Sequence, residues 1–187
     1  MFEKTFCTLE RAGIFAVFAI SVFLSFRVCA FTPSALEILF CSVNDSAWER
    51  TKAVICAYFI WWGLELLLLK LPFYRFVVAK TVSLYICILL MFAFHFIYLS
   101  TGGGDIKIAD TVFSFFALSV SAFVTVRLTK VDKSGELFYP CVFLLMLMFV
   151  MFFCFSIFPP KMFLFKDYGA GIYGFLEKSV EASRILT

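Results

Sequence analysis

The chain has 187 residues, of which 63% are hydrophobic and 16% charged, with 28 phenylalanines and a mean hydropathy of +1.00. A soluble domain averages about 25% charged residues, so this deficit makes lipid the expected solvent and one helical membrane domain the expected unit. The net charge of +3 is small and scattered, which excludes a nucleic-acid binder.

Ala12 to Phe31 is the first apolar run, about the 20 residues a bilayer requires. Arg27 sits near its end, where it can snorkel to the headgroups. Met1–Glu10 carries two acids and no small-residue cleavage site follows the run, so a cleaved leader is not expected. Thr32-Pro33-Ser34 breaks the helix. Ala35–Val43 is too short to span and reads as an interfacial or re-entrant piece. Residues 44–52 then read Asn-Asp-Ser-Ala-Trp-Glu-Arg-Thr-Lys, the densest polar cluster touching a membrane-length helix. Ser46-x-x-Glu49 is a capping box: the Ser46 hydroxyl accepts the Glu49 N–H, and the Glu49 carboxylate reaches back to the Ser46 N–H. Asp45 and Glu49 also favour the positive end of the helix dipole. A cap alone accounts for those residues. Arg50 and Trp48 point to a cap that also holds a ligand, ion or partner, because a cap needs neither.

Ala53–Leu69 is the second span. Its acid, Glu65, is either a functional group or a side chain that snorkels or pairs locally near Lys70. Thr81–Leu99 is the third span and holds the sole histidine, His95, which reads as an interhelical hydrogen-bonding residue before a ligand. The Gly102–Gly104 turn lacks the Lys-Ser/Thr of a phosphate loop. Thr111–Val126 is the fourth span, capped by Asp110 or Thr111, with Ser114, Ala117, Ser121 and Thr125 on one face as a close-packing stripe. Leu137–Phe158 is the fifth, with no ionisable group except cysteine thiols. Pro159-Pro160 stops it. The 159–175 segment that follows mixes apolar anchors with Lys161, Lys166 and Asp167, and is expected to lie on the membrane surface or fold back. The fold class is therefore all-α integral membrane with about five spans, in one domain over residues 1–175 and a short polar tail over 176–187.

Of the seven cysteines none forms Cys-x-x-Cys, and one histidine cannot complete a zinc set, so no metal and no cofactor are expected. Cys29 and Cys41 flank the first connection and could bridge. Counting loops alone, lysine and arginine favour the side of the N-terminus and of the 70–80 and 127–136 loops by eight to four, with four more in the C-terminal region on the other side. This bias places the N-terminus in the cytoplasm of a plasma-membrane protein. Residues 44–52, His95, the Gly102–Asp105 turn and the 159–175 segment then share the opposite face. The expected geometry is a fold-back of 159–175 over the cap, with Lys161 or Lys166 within salt-bridge reach of Asp45 or Glu49, and Trp48 and Tyr173 walling a shallow polar pocket.

Val43-Asn44-Asp45-Ser46-Ala47-Trp48-Glu49-Arg50, Pro159-Pro160-Lys161, Leu164-Phe165-Lys166-Asp167 and Gly171-Ile172-Tyr173-Gly174 resemble a family of small bacterial and archaeal multi-pass membrane proteins known only as a domain of unknown function. That pattern opens the second span with Val-Asn-Glu-Ser-x-Trp-Glu-His and closes with Pro-Pro-His, Leu-Phe-Lys-Asp and Gly-x-Tyr-Gly. Arg50 and Lys161 stand where the pattern has histidine. The resemblance therefore implies no histidine-based metal or proton site in this chain, and arginine and lysine suit an anion or headgroup phosphate instead.

Three functions compete. In the first, Asn44, Asp45, Ser46, Trp48, Glu49, Arg50, Lys161, Lys166, Asp167 and Tyr173 form a site for a small polar ligand, anion or lipid headgroup. In the second, an accessory subunit docks a membrane-protein partner. In the third, an enzyme acts on a lipid-linked substrate, with Asp45 or Glu49 as general base and Arg50 or Lys161 holding phosphate. No catalytic set or cofactor fingerprint favours the enzyme, and no midplane charge or internal repeat marks a transporter.

Overall fold

A computed structural model describes residues 2–26, 40–68, 72–101, 106–130, 135–167, 171 and 173. Five helices follow in order: α1 (Phe2–Phe26), α2 (Ala47–Leu68), α3 (Phe73–Ser100), α4 (Ile106–Leu128) and α5 (Phe138–Ile157). A 3-10 turn, Phe163–Phe165, comes after them. All five helices are long and apolar enough to cross a membrane, and the chain is a multi-pass membrane protein. In lipid every backbone polar group must be satisfied within the chain, which is why the spans are helices. Among the described residues no strand forms; one antiparallel bridge joins Lys166 to Tyr173.

The helices run alternately up and down. α4 packs against α3 and α1, α1 against α2, and α5 against α3. α2 is the central element, with buried positions from Ala47 to Glu65. The α4 stripe behaves as its small side chains dictate: Ser114, Ala117, Ser121 and Thr125 are all buried. Ser121 Oγ donates to the Ser83 carbonyl of α3 at 3.0 Å, a contact that only a close helix approach allows. α5 buries only Cys141, Met148 and Ser156. Its exposed Phe143, Met146, Phe149 and Phe153 form the apolar surface that lipid covers.

Besides α2, whose cap already sets its start at Ala47, three helices start earlier than their apolar runs. α1 begins at Phe2 instead of Ala12, α3 at Phe73 instead of Thr81, and α4 at Ile106 instead of Thr111. The first two extra stretches carry Glu10 and Lys80, which a hydropathy argument excludes from a span. Both are buried here because they pair with each other. The interfacial piece at 35–43 is described only from Phe40, and Cys29, the Gly102–Asp105 turn and the 176–187 tail lie outside the described residues.

Candidate functional site

The cap of α2 is built from short polar side chains that leave few backbone donors without an acceptor. Asn44 Oδ1 accepts the Ser46 N–H at 3.1 Å, and Ser46 Oγ accepts the Glu49 N–H at 3.3 Å. Half of the expected capping box is present. The other half is replaced: with Asn44 already holding the Ser46 N–H, the Glu49 carboxylate reaches past it to the Val43 N–H at 3.0 Å.

Glu49 is 2% exposed, and a bare carboxylate there would be costly. Lys52 Nζ meets its Oε2 at 2.6 Å, and Ser156 Oγ of α5 donates to its Oε1 at 3.1 Å. Lys52 also donates to Ser156 Oγ at 3.0 Å. Glu49, Lys52 and Ser156 thus form a closed knot joining α2 to α5. Trp48 is equally buried, against Phe92, Phe152, Phe155 and Phe165. It is a packing core and does not wall a polar pocket.

The described part of the C-terminal segment, through Asp167, lies against the cap. Phe165 of the 3-10 turn lies against Trp48, and Asp167 Oδ2 accepts the Asp45 N–H at 3.1 Å. The described tie of this segment to the cap therefore runs through Asp167 and Phe165. Lys161 is exposed, while Lys166 and Tyr173 are half-buried at the edge of the fold-back.

Arg50 turns the other way, into a cleft of about 210 Å³ among α1, α2, α3 and α4. Its Nη1 lies 3.4 Å from Asp110 Oδ2 and its Nη2 3.7 Å from Asp45 Oδ1. His95 Nδ1 of α3 lies 3.2 Å from the same Asp110 oxygen, the interhelical bond expected of it. Ser21 and Ser25 of α1, Thr111 and Ser114 of α4, and the apolar Val22, Val54 and Met91 complete the lining. Of the residues proposed from sequence, Asp45 and Arg50 line this cleft. Asn44, Ser46, Trp48, Glu49 and Asp167 are not part of its lining.

Asp110 escaped as a site residue because its place at the start of its own span already gave it a role as a cap. Ser21 and Ser25 escaped because nothing local marks them. The three polar features of this end that are described (the cap, His95 and the fold-back) do converge.

At the opposite end a second charged group joins three helices. Lys80 of α3 pairs with Glu10 of α1 at 2.6 Å and with Glu65 of α2 at 2.5 Å. Trp61 Nε1 donates to Glu65 Oε1 at 2.8 Å, and the ammonium stands 5.2 Å from the Tyr58 ring centre. Glu65 is 0% exposed, so it does not snorkel. Besides the local bond from Trp61, its charged partner Lys80 is fifteen residues away, on the next helix. Gly13 lets α1 approach Trp61 here, since a Cβ at that position would collide with the indole nitrogen.

A family model of unknown function, DUF6512, matches residues 5–175. The chain belongs to that family. No curated protein and no solved structure shows detectable similarity to it. The match spans the five helices and the fold-back, so the family corresponds to the architecture described above. Among the described residues no group of three or more His, Cys, Asp or Glu side chains is placed to hold a metal ion.

Proposed function

We propose that this DUF6512 protein is a binding- or transport-type membrane protein that takes a small polar ligand or a lipid headgroup into the Arg50 cleft. The observation that carries this reading is a cavity of about 210 Å³ whose lining combines an arginine between two carboxylates with the apolar Val22, Val54 and Met91. Ligand sites combine an apolar surround with a few convergent polar groups in this way. The volume falls below the roughly 300–1,000 Å³ of sites for drug-sized ligands, which fits a headgroup or a metabolite of similar size. Glu49 serves the frame: Lys52, Ser156 and the Val43 N–H occupy its carboxylate, so it is poorly placed as a general base.

The test is mass spectrometry of protein purified in mild detergent, wild type beside Ser114→Leu, which fills the cleft from α4. Wild type is expected to carry a lipid or small molecule that the filled variant lacks. The same bound species in both preparations would remove the cleft from consideration.

We further propose that the N-terminus is cytoplasmic, in the plasma membrane, with the cleft opening on the far side. Lys80 and Lys52 both belong to buried ion groups and leave the count. Over the loops alone, with the four basic residues of the C-terminal region set apart, lysine and arginine still favour that side by seven to three. Lys161→Cys is expected to react with an impermeant maleimide on intact cells, and Lys133→Cys is not. The reverse pattern inverts the topology.

A further inference from the structure

On the reading that the Arg50 cleft holds a small polar ligand, we propose that the cleft is the open half of an alternating-access path. The path follows the seam of α1, α2 and α4 and is closed at its other end by the Glu10–Lys80–Glu65 group.

The register of three helices places two cavities on one line. Ser21 of α1, Val54 of α2 and Ser114 of α4 line the cleft. Four residues from each, toward Lys80, Val17, Tyr58 and Leu118 line a void of about 10 Å³ beside the ion group. α1 runs toward the cleft and α2 and α4 run away from it, so the step points the same way in all three. At 1.5 Å per residue the two cavities are one helical turn apart, about 6 Å. Val17, Val54, Ala117 and Leu118, all buried, make that turn an apolar septum.

α1 is held differently at its two ends. Beside the void, Glu10 pairs with Lys80 at 2.6 Å, and Gly13 brings the helix so close to Trp61 that a Cβ would strike the indole nitrogen. That indole donates to Glu65, the second acid on Lys80. At the other end the cleft stands between α1 and its neighbours. The seam is therefore shut on one side and open on the other.

Alternating access needs a closure that can part again as one element rocks against the rest. Ion pairs suit that task better than apolar packing does. Replacing a buried ion group by well-packed apolar side chains is often neutral or stabilising, so stability alone does not call for three charges here. When such a closure parts, its charges gain water, whereas an apolar closure would expose its surface at a cost. The open and shut arrangements can then lie close in free energy.

The experiment reads water access with a membrane-impermeant cationic methanethiosulfonate, applied to either face of membrane vesicles. Labels are located by peptide mass spectrometry, so the native cysteines stay in place. Ser114→Cys reports the cleft and Val17→Cys the septum. In the otherwise native chain, Ser114→Cys is expected to label from the cleft side and Val17→Cys from neither side. Two perturbations then act on α1 by different physics. Glu10→Gln loosens its tie while Lys80 keeps Glu65; Gly13→Ala wedges it away from Trp61 and removes no charge. Each is expected to raise Val17→Cys labelling from the far side about tenfold, as when a minor state of about a few per cent becomes a major one. Each is also expected to lower Ser114→Cys labelling from the cleft side. The reciprocity separates rocking from a bundle that is merely loosened or partly unfolded, which would label more at both positions. Labelling raised at both, or changed at neither, overturns the path; a bound species absent only from Ser114→Leu then leaves the cleft as a binding site alone. Reciprocal labelling in protein that carries no bound species upholds the movement and overturns the ligand reading on which transport rests.

Discussion

Two groups in this molecule share two carboxylates and one strong base, yet they are held in opposite ways. In the Glu10–Lys80–Glu65 group every member is at most 4% exposed by side chain and the pairs are 2.5 and 2.6 Å long. In the Asp45–Arg50–Asp110 group the side chains are 35%, 13% and 10% exposed, with pairs of 3.7 and 3.4 Å. The first surrounds a void of about 10 Å³, near the lower limit for a single water. The second lines about 210 Å³. Charge composition alone does not distinguish a fastener from a site. Spacing and the free volume beside the charges do.

The largest effect is expected from breaking the tight group. Lys80→Met leaves Glu10 and Glu65 buried without their cation, and removing one side of a buried ion pair costs about 3–5 kcal/mol. The variant is expected to lose its cooperative melt in detergent. Glu10→Gln, Glu65→Gln and Lys80→Met combined remove every charge and are expected to recover most of the loss, as coupled neighbours do. A triple variant no better than Lys80→Met would mean that the group acts through packing and not through charge.

Glu49→Gln comes next. A cap alone would lose at most about 1 kcal/mol, because glutamine keeps an oxygen for the Val43 N–H. Here it also deprives the buried Lys52 of its carboxylate, which raises the expected loss to about 3 kcal/mol, read as a drop in melting temperature. A loss below about 1 kcal/mol would return Glu49 to a simple cap.

The smallest effect is expected at the loose group. Asp45→Asn removes a 3.7 Å pair from a side chain that is 35% exposed, and exposed pairs contribute about 0–1 kcal/mol. Stability should be nearly unchanged while ligand occupancy falls. A destabilisation matching that of Lys80→Met would erase the contrast between the two groups.

The five spans were legible in the sequence because a soluble core seldom calls for apolar runs of about 20 residues, whereas a bilayer requires them. The start of α2 was legible because Asn44, Ser46 and Glu49 act locally, within one turn. The broken, half-apolar character of the 159–175 segment left a surface position and a fold-back both open. The fold-back was argued from lysine charges, whereas the described contacts run through Phe165 and Asp167. The ion groups were not. Glu10, Glu65 and Lys80 are separated by 55 and 15 residues, and each read alone is a span boundary or a snorkelling chain. Their pairing exists only once α1, α2 and α3 are side by side. Asp110 was hidden for the opposite reason, since capping a helix start already gave it a complete local role. Local rules reach as far as a turn or a periodic face; three-helix meetings of single charges lie beyond them.

The Asp167 tie sets an order of events during synthesis. Its acceptor oxygen lies 122 residues beyond the Asp45 amide it receives, and Phe165 reaches Trp48 from the same late segment. A ribosome emits the N-terminal spans first, so α2 must enter the membrane with its head unlatched and Trp48 without any of its four rings, the last of which, Phe165, comes after all five spans. The bundle is then closed by almost the last residues of the family match. A chain cut before Phe165 would keep all five spans and the Glu10–Lys80–Glu65 fastener, yet leave the Arg50 end without the contacts that finish it. Premature termination in this segment therefore yields a membrane-inserted protein with an incomplete cleft frame, in place of an unfolded chain.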